Sequence, residues 1–305
     1  KKKRKSEEVD EVCPRDGLQN EKRLVSTQDK LRLIEKAILF GARRIEVTSF
    51  VNPRRVPQLA DAEQLIALLT DRADVTYIGL VLNQRGAQRA LAQQKIDELG
   101  AVCITSDSFG VRNQGQTSAE SLESAMDIVR MAKADGRSAQ ITIATAFGCP
   151  FEGEVDPNKV VEMAKRASEV APREISLADT IGVAAPAEVS DLVGRVVEAL
   201  AGIPVRAHFH NTRGTGLASV WAAVEAGAST IDAALGGIGG CPFAPGAAGN
   251  VASEDVIYML NRGRIETGYD LPQMVEAAQW LSGVMERSLP AMVSKAPLFP
   301  EQLAT

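Results

Sequence analysis

The chain has 305 residues, of which 45% are hydrophobic, 24% charged and 4% aromatic. That balance excludes a disordered or collagen-like chain, and the length suits two average domains or one barrel of roughly 250 residues. Lys and Arg number 34 against 39 Asp and Glu, a net charge of -5, which argues against a nucleic-acid-binding surface; no apolar run approaches the roughly 18 residues of a membrane span.

The chain opens on a basic run at 1–5, beside Glu7, Glu8 and Asp10. Residues 1–8 are expected to be a disordered tail or an expression remnant rather than a targeting signal. Short β-branched runs then predict strands at 9–13, 44–48, 75–82, 101–105, 140–145, 174–177, 205–209 and 229–233. Between them amphipathic stretches predict helices near 28–40, 58–71, 84–98, 119–135, 157–171, 186–201 and 214–227. An eighth helix is expected to begin near Ser253, as N-cap before Glu254 and Asp255. Asp156-Pro157 opens the fifth helix, and Gly41, Gly100 and Gly136 are read as following helix ends.

Eight strand–helix units spaced by about 30 residues predict an α/β chain folded as a (β/α)8 TIM barrel with additional C-terminal helices. A doubly wound sheet would open on GxGxxG, whereas the first βα turn here reads Cys13-Pro-Arg-Asp-Gly17. One domain is expected over 9–305, with an amphipathic helical extension at about 264–290 carrying Met274, Ala278, Leu281 and Met285. Four scattered cysteines without a CxxC pair form neither a disulfide framework nor a zinc knuckle, so a reducing, cytoplasmic setting is expected.

In such a barrel the chemistry lies at the C-terminal ends of the strands. Those ends deliver Arg15 and Asp16, Glu46 and Ser49, Asp179 and Thr180, and His208-Phe-His-Asn211. A glycine-rich loop from Gly236 to Gly249 follows, carrying Cys241 and leading to Asn250. The two histidines are the only ones in the chain and stand at i and i+2 on a strand, so both rings face one way. They are either hydrogen-bonded core residues or, with Asp16, ligands of a divalent ion, Mg²⁺ or Mn²⁺ before Zn²⁺. Arg15 is either a surface ion pair with Asp16 or a fixed cation for an oxygen that becomes an enolate. Cys241, on a mobile glycine flap, is the reactive thiol candidate; Cys13, Cys103 and Cys149 are expected to be inert packing residues.

The segments Glu11-Val-Cys-Pro-Arg-Asp-Gly-Leu-Gln-Asn-Glu21, Asp179-Thr-Ile-Gly-Val183, Gly236-Gly-Ile-Gly-Gly-Cys-Pro-Phe-Ala244 and Gly249-Asn-Val-Ala-Ser-Glu-Asp255, with Val256 to Leu260 after it, resemble hydroxymethylglutaryl-CoA lyase. The resemblance runs over about 9–288. It implies a divalent metal held by Asp16, His208, His210 and Asn250, an enolate stabilised by Arg15, and proton transfer by Cys241. Glu46, Asp179 and Glu254 match positions that support the metal and the acid–base steps, and Gln19 and Asn113 match positions near the substrate. The resemblance further implies an acyl-CoA substrate, no redox cofactor, and a homodimer in the cytosol or an organelle. The implied reaction deprotonates a tertiary alcohol, by Asp179 or His208, and cleaves the C–C bond to acetyl-CoA and a ketone. Basic residues Lys22, Arg23, Arg54, Arg55 and Arg112 are either a positive rim for CoA at the barrel mouth or solvated loop charges.

One stretch departs from the family. Where it commonly reads His-x-His-Asp-Thr-Tyr-Gly, this chain reads His208-Phe-His-Asn-Thr-Arg-Gly214. Arg213 either pairs with a substrate carboxylate at a different reach or sits on the surface. The expected substrate is hydroxymethylglutaryl-CoA; the alternatives are citramalyl-CoA, a longer-branched hydroxyglutaryl-CoA, or a barrel that binds acyl-CoA without catalysis.

Overall fold

Every predicted strand pairs with its neighbours in chain order, and the last pairs with the first. The computed structural model describes residues 6–240 and 248–300. Its strands are β1 Glu8–Glu11, β2 Arg44–Ser49, β3 Thr76–Val81, β4 Glu98–Ile104, β5 Ser138–Ala144, β6 Ile175–Asp179, β7 Val205–Phe209 and β8 Thr230–Ala233. They form a closed parallel barrel in sequence order, sealed where Asp10 of β1 stands beside Asp232 of β8. The barrel is therefore a (β/α)8 TIM barrel. Glu8 already belongs to β1, and the Glu7 amide donates to the Glu266 carbonyl at 2.9 Å.

The helices are α1 Thr27–Leu39, α2 Ala62–Leu68, α3 Gln84–Leu91, α4 Asp107–Gln114, α5 Ser118–Ala134, α6 Pro157–Ser168, α7 Pro186–Ala199, α8 Gly216–Ala226, α9 Ser253–Arg262 and α10 Leu271–Met285. Each long helix turns an apolar stripe to the barrel, as α1 does with Leu33, Ile34, Ala37 and Ile38. Local chemistry fixes several starts. Ser26 accepts from the Asp29 amide at 3.1 Å, and Thr117 and Glu120 form a reciprocal capping box on α5. No helix among the described residues is long and apolar enough to cross a membrane.

Three local expectations are corrected. The stretch 84–98 is helical only to Leu91, because Glu98 is drawn inward to Arg44 and starts β4. Gly100 consequently lies inside that strand rather than after a helix, while Gly41 and Gly136 do follow helices, with φ of 113° and 76°. Ser253 is the first residue of α9, not its cap: its hydroxyl donates to Glu11 at 2.6 Å. Helix α4, not anticipated, is entered through Ser106 and left through Gly115 at φ 71°.

The barrel interior is ionic at one level. Arg44 donates to Glu98 at 2.6 Å and Glu174 at 2.8 Å, and Arg206 reaches Asp10 at 3.3 Å. Burial, partly offset by Arg44 and Arg206, leaves the Asp10 carboxyl well above its ordinary range. Beyond α9, α10 packs on α1, and the chain returns beneath the loop after β8. There Ala291 donates to the Gly236 carbonyl at 3.0 Å, and Val293 donates to Asp255 at 2.8 Å. The C-terminal extension thus braces the root of the glycine-rich loop.

Candidate active site

Strand β1 runs into a single wide helical turn, Cys13–Gly17, whose amides at Asp16 and Gly17 both reach back to the Val12 carbonyl, at 2.8 and 3.2 Å. Such turns widen a helix by one residue per bond and recur at functional sites. This one aims Arg15 and Asp16 into a cavity of about 810 Å³ at the C-terminal mouth of the barrel. Opposite, the end of β7 pairs with the segment after the glycine-rich loop: Asn211 donates to the Gly249 carbonyl at 2.7 Å and Val251 to the Phe209 carbonyl at 3.1 Å. That pairing sets Asn250 beside His210.

Asp16 is the hub. Its Oδ1 accepts from Arg15 Nη1 at 2.7 Å and Gln19 Nε2 at 3.1 Å. Its Oδ2 accepts from Asn250 Nδ2 at 2.8 Å and lies 3.6 and 3.5 Å from the Nε2 atoms of His208 and His210. Burial opposes ionisation of Asp16, but Arg15 and the two imidazoles outweigh it and hold the carboxyl well below its usual range. One carboxylate oxygen and two ring nitrogens lie within 4.8 Å of one another, close enough to share an ion. Among the described residues the buried amide oxygen of Asn250 has no hydrogen-bond partner, which fits a fourth oxygen donor. Carboxylate, amide and two imidazoles together suit a divalent cation. Close backbone approach completes the arrangement: Gly239 has φ 98°, and a Cβ there would stand 2.5 Å from Asn250 Nδ2 and 2.8 Å from the Asp16 carbonyl.

Around the hub, Arg15 Nε donates to Glu46, and Nη1 also donates to Gln19 at 3.3 Å. These bonds leave the two N–H groups of Nη2 for another oxygen. Thr180 and Asn113 line the cavity; the Thr180 hydroxyl also accepts from the Thr145 amide at 2.8 Å. Ser49 is buried at the end of β2 and does not line it. Of the expected basic rim, Arg55 and Arg112 line the cavity, with the Arg112 guanidinium 4.3 Å over the Phe151 ring. Arg23 pairs instead with Glu286 at 2.7 Å, and Lys22 and Arg54 lie off the cavity.

Three expected participants have other partners. Asp179 accepts from the Val183 and Ala184 amides at 2.9 and 3.0 Å, so both oxygens hold the loop after β6. Arg213 donates to the Ile181 and Gly182 carbonyls, each at 3.0 Å, and ties the β6 and β7 loops together away from the cavity. Glu254 is fully buried beneath the glycine-rich loop and accepts from the Gly236 amide at 3.0 Å; burial pushes its carboxyl up to about 7. Cys13, Cys103 and Cys149 are buried, and burial pushes the Cys103 thiol up to about 12. Cys241 lies outside the described residues.

The sequence reading missed Asp232 and Arg206. Both line the cavity, and Asp232 Oδ2 stands 2.9 Å from His208 Nδ1. The sequence does carry a signal, since Asp232 is the one charged residue of β8, but it stands within its strand and not at the C-terminal end.

Comparison with known proteins agrees with this geometry. The HMGL-like family model matches residues 8–281. The chain is 41% identical to (R)-citramalyl-CoA lyase of Chloroflexus aurantiacus, over 95% of each sequence. It is 37% identical to a hydroxymethylglutaryl-CoA lyase of Bacillus subtilis, over 93% of this chain and 94% of that one. Among solved structures, an HMG-CoA lyase from Acinetobacter baumannii in complex with coenzyme A and 3-methylmalate superposes with a TM-score of 0.93 at 37% identity, over 98% of each chain. Barrel, mouth and sequence agree that this chain belongs to the HMGL-like family and is a lyase.

Proposed function

We propose that the protein cleaves 3-hydroxy-3-methylglutaryl-CoA to acetyl-CoA and acetoacetate by a metal-assisted retro-Claisen reaction. The observation that carries this reading is Asp16, with one oxygen toward His208 and His210 and the other on the Arg15 guanidinium. Asp16, His208, His210 and Asn250 would hold Mg²⁺ or Mn²⁺, which when bound supplies a Lewis acid for the substrate hydroxyl. A carboxylate at the mouth, Glu46 or Asp179, accepts the hydroxyl proton, because both ring nitrogens of His208 are committed, Nε2 to the ion and Nδ1 to Asp232 at 2.9 Å. As the C–C bond breaks, its electron pair becomes the thioester enolate, and the carbon that carried the hydroxyl becomes the ketone. The free N–H groups of Arg15 Nη2 hold the enolate oxygen, and Cys241 or a water it positions returns a proton to the enolate carbon. Arg55 and Arg112 at the mouth offer cations to the phosphates of CoA.

A second reading, citramalyl-CoA cleaved to pyruvate and acetyl-CoA, uses the same chemistry and is favoured by the 41% identity to a citramalyl-CoA lyase. The deciding experiment offers both thioesters in one tube with Mg²⁺ and Mn²⁺ and identifies products by mass spectrometry. Acetoacetate supports the first reading and pyruvate the second. Neither product overturns both.

A further inference from the structure

The two histidines are not equivalent. Both project inward from the end of β7, yet among the described residues the buried His210 Nδ1 has no hydrogen-bond partner, whereas His208 Nδ1 meets Asp232 Oδ2 at 2.9 Å. The pair follows from strand register: His208 of β7 stands beside Asp232 of β8, and both side chains enter the barrel. Asp232 is itself constrained, with Oδ1 3.6 Å from Arg206 Nη1. Arg206 is fixed in turn by Asp10 at 3.3 Å and by the Thr142 hydroxyl at 2.9 Å.

From this chain of contacts we infer that Asp232, anchored by Arg206, is a positioning residue that fixes the tautomer of His208. Both carboxylates that face the ring stand beside a guanidinium and can only accept, but Asp232 is within hydrogen-bond distance of Nδ1 at 2.9 Å whereas Asp16 stands 3.6 Å from Nε2, so the neutral ring of His208 carries its proton on Nδ1 and leaves Nε2 to the cavity. Ligating histidines generally owe their orientation to such an acceptor on the far nitrogen, and its loss lowers metal affinity about 10–100-fold. Among the described residues His210 Nδ1 has no such acceptor, so the two histidines differ in role although they share a strand face.

Asp232→Asn is the informative change, because it keeps volume and reverses the bond. Arg206 draws the amide oxygen, which leaves the amide N–H groups to donate to Nδ1 and moves the ring proton to Nε2. The chain contains only two histidines, so ¹⁵N spectra of the imidazoles in metal-free protein at pH 9 read both tautomers directly. The expected result is an Nδ1-protonated His208 in the wild type and an Nε2-protonated ring in Asp232→Asn. Mn²⁺ affinity should fall 10–100-fold in that variant, and kcat should fall while the acyl-CoA KM stays within about twofold. Asp232→Ala serves as a second variant if it folds by circular dichroism, and should weaken Mn²⁺ in the same direction. A wild-type ring protonated on Nε2, or an Asp232→Asn protein that binds Mn²⁺ within twofold of wild type, overturns the inference. It rests on the proposed metal site, yet the two fail separately. A wild-type protein that takes up no Mn²⁺ refutes the metal reading, and the tautomer of the metal-free ring then still tests the role of Asp232.

Discussion

Arg15 shows how one side chain can be both held and available. Its Nε and Nη1 are committed to Glu46, Asp16 and Gln19, which fixes the plane of the guanidinium before substrate arrives. A preorganised donor at a developing oxyanion contributes about 3–4 kcal/mol to the transition state. Arg15→Gln should therefore lose several hundred-fold in kcat with Mn²⁺ binding retained, as steady-state assays and metal titration would show. Near-normal turnover would remove Arg15 from the reaction. Arg213 makes the opposite case: its guanidinium is bound to two loop carbonyls outside the cavity. Arg213→Tyr, which restores the residue common in the family, should leave the ratio of acetoacetate to pyruvate unchanged. A switch of product would show that the β7 departure sets the acyl group. The sequence alone left Arg213 undecided because its partners are backbone carbonyls, which carry no residue signature.

At the scale of elements, the root of the glycine-rich loop is held by two buried acids. Glu11 accepts from the amides of Cys13 and Leu235, each at 2.9 Å, and Glu254 accepts from Gly236. Burial pushes both carboxyls up to about 7 from an unfolded value near 4.5. The folded state therefore holds these protons more tightly than the unfolded chain. The stability this contributes is present in full below about pH 4.5 and is lost as the pH rises through 7. For Glu254 alone the loss between pH 5.5 and 8 is about 2 kcal/mol. Glu254→Gln, a permanent mimic of the protonated acid, should gain on the wild type by that amount over the same interval in urea unfolding. A constant difference between the two proteins would show that Glu254 is ionised throughout. Elements were legible in the sequence to the extent that their cause was local. All eight strands and most helix starts were readable from β-branched runs, from amphipathic periodicity and, at Asp156-Pro157, from the residues that open the helix. The end of α3 was not, because the partner that draws Glu98 inward, Arg44, lies 54 residues away in sequence. The turn bearing Arg15 and Asp16 was legible as a site, since its residues sit at a strand end, whereas Asp232 acts from within its strand and required the register of the barrel.

For the whole molecule, the question is what an ionic ring inside the barrel contributes beneath a site that must itself be charged. Arg44 is buried against Glu98, Glu174 and Asp10, and through them the ring meets Arg206 and, above it, Asp232 and His208. Exchanging a complete buried network for apolar residues of like volume is often neutral, whereas removing one partner strands the rest at about 3–5 kcal/mol. Arg44→Met should accordingly destabilise the barrel by about that amount, since Glu98 and Glu174 each lose their shortest ionic contact. Adding Glu98→Leu should recover part of the loss, because one of the stranded carboxylates is gone. Urea midpoints of the single and double variants at one pH measure both steps. A single variant within about 1 kcal/mol of wild type would mean that water or protonation relieves the stranded acids. In that event the ring would serve mainly to aim Arg206 at Asp232, and Arg44→Met should weaken Mn²⁺ binding without unfolding the protein.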